Sequence, residues 1–195
     1  LFSLAQSPYQ VDWNKESYYL GIGAGLYAST GVLEFKKVTP LTEVEIFALD
    51  RATINSFDRN ATFKFSNNAR KASDYFKFPS YAFPFLFLTQ QRSRKDFGKI
   101  MALYGETLLI VGGLTSLSKR AFLRPRPLVF NELVPLADKQ ESNARYAFFS
   151  GHASVSAANS IFAAKVFSDY FPESKWKPVV WSVAIFVPVA TGFFR

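Results

Sequence analysis

The sequence predicts an all-α protein, a multi-helix transmembrane bundle, and three observations lead there. Hydrophobic residues make up 49% of the 195-residue chain and Phe alone counts 22, yet the mean hydropathy is only +0.04. Short apolar segments joined by long polar loops produce that combination. The apolar residues also gather in five stretches, at 17–33, 78–91, 100–118, from Ala153 onward, and 179–194, that carry almost no charge. A soluble helix normally keeps a polar face, and these stretches leave little room for one. None reaches the roughly 20 apolar residues of an unambiguous span, so the argument rests on their number in so short a chain.

In chain order, residues 1–16 form an N-terminal tail. Within it Leu1–Gln6 leaves two readings open, the end of a signal peptide or a loose terminus. The stretch 17–33 contains Gly21-Ile22-Gly23-Ala24-Gly25; glycine weakens a helix in water but is common where helices pack closely in lipid. Residues 34–77 read as a polar insert of mixed charge. Thr42 followed by Glu45 is a capping-box signature, and Ile46, Phe47, Leu49 and Ile54 then recur at helical spacing, predicting an amphipathic surface helix. The second apolar stretch, 78–91, holds Pro79 and Pro84, which would kink a helix.

The third stretch is interrupted only by Glu106, a carboxylate expected to turn inward and make a structural hydrogen bond. The fourth, beginning at Ala153, is built of small residues suited to close packing. Pro172–Pro178 is a turn with an interfacial Trp176. No repeat or linker divides the chain, so 1–195 reads as one domain.

Charge narrows the partners. Lys and Arg number 23 against 15 Asp and Glu, which favours phosphorylated substrates, acidic lipid head groups or nucleic acid. Nucleic acid is discounted, because the cations sit beside apolar spans with no interleaved aromatic platform. The absence of Cys removes disulfides and thiolate metal sites.

Two blocks carry the chemistry. Lys119-Arg120-Ala121-Phe122-Leu123-Arg124-Pro125-Arg126-Pro127 follows the third apolar stretch directly, and Pro127 stops the helix from continuing. Lys119 and Arg126 would together neutralise a dianion, the guanidinium as a planar fork and the ammonium as a point charge. Such a cluster equally suits a grip on acidic head groups. The second block, Ser150-Gly151-His152, contains the chain's only histidine. Glycine lets an anion approach the backbone, the N–H groups opening the next helix point at it, and the imidazole can release a proton near neutral pH.

At these residues the chain resembles the type-2 phosphatidic acid phosphatase superfamily, which also holds bacterial acid phosphatases and vanadium haloperoxidases. The family signatures are K-x6-R-P, P-S-G-H and S-R-x5-H-x3-D. Lys119, Arg126 and Pro127 match the first. Ser150, Gly151 and His152 match the second, with Phe149 where proline is usual. Phe194-Arg195 stands where the third begins, with only its arginine present. The resemblance extends over most of the chain from Ser17.

It implies a phosphatase needing no metal or other cofactor and working through a phosphohistidine. Lys119, Arg126 and Arg195 would hold the phosphate with Ser150 and the Gly151 N–H, and His152 would protonate the leaving alkoxide. The nucleophile would be a second histidine about six residues past Arg195, in the family's pattern. The chain is therefore expected to be a fragment lacking that residue and a sixth helix, binding phosphate weakly and turning over nothing.

The resemblance further implies an integral membrane protein of a bacterial-type envelope, with lipid phosphate or diphosphate as substrate and membrane lipids as partners. Counting spans places 34–77, 119–152 and Arg195 on one side, and 92–99 with 172–178 on the other. The latter loops are short and basic, which makes them cytoplasmic and turns the site to the periplasm or outside. The other readings are a soluble acid phosphatase or haloperoxidase on the same bundle, and a non-catalytic membrane protein that holds anionic lipid.

Overall fold

A computed structural model describes residues 7–34 and 38–195, and among these every regular element is helical. The expectation for Leu1–Gln6 lies outside the described residues. The α-helices are α1 (Trp13–Glu34), α2 (Glu43–Phe47), α3 (Ser56–Arg59), α4 (Asn67–Ser80), α5 (Gln91–Arg94), α6 (Phe97–Phe122), α7 (Leu136–Lys139), α8 (Gly151–Tyr170) and α9 (Lys177–Phe193). Four of them, α1, α6, α8 and α9, correspond to apolar stretches of the sequence and form the bundle together with α4.

Glycine decides how α1 meets α6. A Cβ on Gly113 would stand 2.6 Å from Leu26 Cβ, one on Gly23 would stand 2.8 Å from Leu109 Cβ, and one on Gly112 would meet the Tyr27 ring at 2.9 Å. Bare backbone on alternating helices lets the two axes approach. These pairings rise together along both chains, so α1 and α6 run parallel. Glu106 is buried, as expected of it, but its Oε1 is left without a hydrogen-bond partner among the described residues.

A parallel pair needs a return crossing between its members. The sequence places that crossing at 78–91, and here the structure differs. Pro79 and Pro84 each lack an N–H, and the chain breaks after Ser80 into a 3-10 segment, Phe83–Leu88. The crossing is made instead by α4 followed by that segment. Its first half therefore consists of residues assigned to the polar insert, and Arg70, Asp74 and Lys77 enter the bundle's end on α4.

Small polar side chains stitch the interior. Tyr104 of α6 donates to Asn159 Oδ1 of α8 at 2.7 Å, and Asn159 Nδ2 donates to Ser80 Oγ of α4 at 2.9 Å. Ser73 of α4 donates to the Thr191 carbonyl of α9, and Ser160 of α8 donates to the Ala184 carbonyl, at 2.9 and 2.8 Å. The small residues after Ala153 permit this packing, in which α8 lies antiparallel to both α6 and α9. An apolar cluster of Phe87, Ile100, Val166 and Tyr170 fills the opposite end of the bundle.

The rest of the insert forms a cap. Thr42 and Glu45 make the capping box the sequence predicts, but α2 spans one turn rather than an extended amphipathic helix, and Phe47 is exposed. Its buried Ile46, with Leu41, packs on Val129 and Ala144 of the loop after α6. Arg145–Glu45 at 2.9 Å and Arg124–Asp58 at 2.7 Å tie the same surfaces.

Candidate active site

The two sequence blocks and the final arginine come together at one end of the bundle. α6 ends at Leu123, a left-handed residue with φ 43°, whose N–H returns to the Lys119 carbonyl. That turn sends Arg124 to Pro127 back across the helix end. The Arg126 N–H donates to the Ala144 carbonyl at 2.7 Å and the Ala147 N–H to the Arg124 carbonyl at 3.0 Å. Phe122 and Phe148 meet edge to face at 5.3 Å, and Arg120 lies over the Tyr146 ring at 5.9 Å. The loop leading to Ser150 is thus fastened to the end of α6.

Ser150 caps α8, accepting from the Ala153 N–H at 3.4 Å. Its hydroxyl is engaged by its own helix. Gly151 stands where a Cβ would come 3.0 Å from Lys119 Nζ, so the ammonium of one block rests on the backbone of the other. α9, antiparallel to α8, delivers Arg195 to the same end. Phe194 stacks on Phe76 of α4 at 6.0 Å with the rings 2° from parallel, which places the last residue beside the charged face of α4.

Lys119, Arg126, His152 and Arg195 all lie beyond the apolar stretches, at the polar end of the bundle, and the first three show its electrostatics. Burial, then the fields of Arg126, Arg195 and Lys77, hold the Lys119 ammonium below the ordinary lysine range. Burial, then Arg195 and Arg70, hold Arg126 below the ordinary arginine range, with Glu141 acting the other way. Burial also lowers His152. The Asp74 hydrogen bond opposes that shift, while Arg195 and Lys77 add to it. Cations that lower one another's pKa form a site short of negative charge, which an anion would relieve.

The sequence reading missed α4. His152 Nε2 lies 2.8 Å from Asp74 Oδ1, and the spacing of Arg70, Asp74 and Lys77 puts all three on one helical face. The signal was present in the sequence. Ser66 is a good cap, and it accepts from the Ala69 N–H at 3.3 Å, but the helix it opens was hidden by placing the crossing after Lys77.

Residues 100–195 match the family model described as PAP2 superfamily. Over these residues the chain is similar to the PAP2 superfamily. The matched region holds every site residue read from the sequence, and the PAP2 match supports phosphatase-type activity in general. The PAP2 match begins inside α6, so α1, the cap and α4 all precede it. No curated protein and no solved structure matches the chain.

Proposed function

We propose that this protein is a membrane phosphatase acting on lipid phosphate monoesters or diphosphates through a phosphohistidine. The observation that carries the reading is the convergence of Lys119, Arg126 and Arg195 on the start of α8, where Gly151 leaves the backbone open. Three cations around one phosphorus stabilise charge on its equatorial oxygens, and the guanidinium of Arg126 binds two of them at once. His152 protonates the leaving alkoxide as the P–O bond breaks. In the family's pattern the attacking imidazole belongs to a second histidine, in the motif that Arg195 opens.

A location in lipid is favoured by what the bundle turns outward. Among the described residues one segment, within Phe97–Phe130, is long and apolar enough to cross a membrane by itself. α9 in addition exposes Val183, Ile185, Phe186, Val189 and Phe193, and α1 exposes Tyr18 and Ile22. A water-facing surface with contiguous large apolar side chains is unusual, whereas hydrocarbon accepts it. The basic loops at 92–99 and 172–178 lie at the end away from the site, and the positive-inside rule makes that end cytoplasmic.

The test is anion binding by the detergent-solubilised chain, with sulfate and inorganic phosphate as probes. Lys119→Ala and Arg126→Ala are expected to abolish binding, and Arg92→Ala, at the other end, to leave it intact. Equal losses from all three, or no binding by the wild-type chain, would overturn the reading. Partition into the aqueous phase would favour the soluble phosphatase alternative. Unchanged anion and lipid binding in both Arg126→Ala and His152→Ala would favour a non-catalytic lipid binder.

A further inference from the structure

The hydrogen bond between Asp74 and His152 has no counterpart in the motifs, and it comes from a helix that precedes the matched PAP2 region. Asp74 sits in the middle of α4 with Arg70 one turn before it and Lys77 one turn after. The helix is fixed against α9 by the Ser73–Thr191 hydrogen bond and the Phe76–Phe194 stack, and against α8 by Asn159–Ser80. Asp74 is therefore held by buried contacts on either side. Its side chain is 42% exposed and that of His152 20%, so the pair stands at the mouth of the site rather than in the core.

We propose that Asp74 is the positioning residue for His152, fixing which ring nitrogen faces the substrate. An ionised carboxylate only accepts, so the ring must donate from Nε2–H, leaving Nδ1 to face the leaving oxygen. In the proposed reaction the imidazolium gives its Nδ1 proton to the alkoxide oxygen as that oxygen takes the electron pair of the breaking P–O bond. The neutral ring that remains is the Nε2–H tautomer, still bonded to Asp74. When water attacks the phosphoenzyme in the next step, its proton goes back to Nδ1. This inference rests on the phosphatase reading for its meaning, but the contact itself does not.

The groups that act on His152 come from each neighbouring element. They are Asp74 and Lys77 of α4 and Arg195 after α9, while Lys119 of α6 rests on Gly151 next to it. Every one except Asp74 is cationic and disfavours imidazolium. Asp74 is the group that opposes them, and α4 thus supplies both the anion that orients the acid and, in Arg70 and Lys77, cations that extend the phosphate field.

Because the chain has one histidine, ring NMR in detergent with the affinity tag removed reports His152 without assignment. In anion-free buffer Asp74→Asn is expected to lower the His152 midpoint, and Asp74→Glu to recover part of the loss. The wild-type neutral ring is expected to be the Nε2–H tautomer. A merely structural role gives the opposite sign. Loosened packing hydrates the ring and raises its midpoint toward the ordinary value, because burial is the largest cause lowering it. A raised or unchanged midpoint in Asp74→Asn, or an Nδ1–H tautomer in the wild type, would overturn the proposal. The phosphatase reading fails separately, if saturating sulfate or phosphate leaves the wild-type midpoint where it was.

Discussion

Lys119 Nζ lies 3.0 Å from the place where a Cβ would stand on Gly151. The closeness is tolerable only because that position is bare, and it brings the ammonium over the opening turn of α8. Gly151→Ala is expected to fold, since the obstructing atom is the end of a flexible side chain. Anion affinity should fall about fivefold as the ammonium is displaced. Calorimetric titration with sulfate, beside a thermal melt shifted by no more than about 0.5 kcal/mol, checks both parts.

Arg126 is held by its own backbone, its N–H bonded to the Ala144 carbonyl, so its guanidinium is presented by a fastened loop. Arg126→Lys keeps the charge and loses the planar fork. Sulfate affinity is expected to drop roughly tenfold, with a smaller dependence on salt lost than in Arg126→Ala. Titrations at two ionic strengths separate the variants.

The site should bind anions better in acid. His152 is pushed below the ordinary histidine value of about 6.5, chiefly by burial, and its protonation adds a positive charge beside Lys119 and Arg195. Sulfate remains a dianion through this range. Its affinity is expected to rise as pH falls through the depressed midpoint, and bound sulfate should raise that midpoint in return, because the coupling is reciprocal. His152→Gln should flatten the profile. A profile that stays the same in His152→Gln would assign the dependence to another group.

Asn159 joins three helices, receiving from Tyr104 and donating to Ser80 while fully buried. Asn159→Leu strands the Tyr104 hydroxyl and removes the donor to Ser80 Oγ, which keeps its own bond to the Lys77 carbonyl. A loss of about 1–3 kcal/mol follows from leaving buried polar groups unpaired, measured as a lowered denaturation midpoint in detergent. Asp74 reaches His152 from the same helix as Ser80, so the variant should also broaden the His152 ring resonances.

Two glycines on either side of the α1–α6 contact give opposite expectations. At Gly113 a Cβ would meet Leu26 Cβ at 2.6 Å and the Leu26 carbonyl carbon at 3.1 Å, whereas at Gly21 nothing lies within 4 Å. Gly113→Ala is expected to destabilise by about 1–3 kcal/mol through overpacking. Gly21→Ala is expected to be neutral or stabilising by up to about 1 kcal/mol. Melting both in one detergent decides whether α1 docks through its glycines.

By itself the sequence determined the helical class, four of the long helices, the capping box at Thr42 and the residues of both chemical blocks. These are local properties: runs of apolar side chains, proline stops and cap residues act within a turn or two of themselves. It did not determine where the return crossing begins, because a charged residue looks like loop until the surface it faces is known. Only the tertiary structure decided that α4 enters the bundle with Arg70, Asp74 and Lys77 toward the site. It also decided that Phe194 stacks on Phe76 and that Asp74 meets His152 across 78 positions of sequence. Contacts at that separation depend on the packing of whole helices against one another, and no spacing along the chain encodes them.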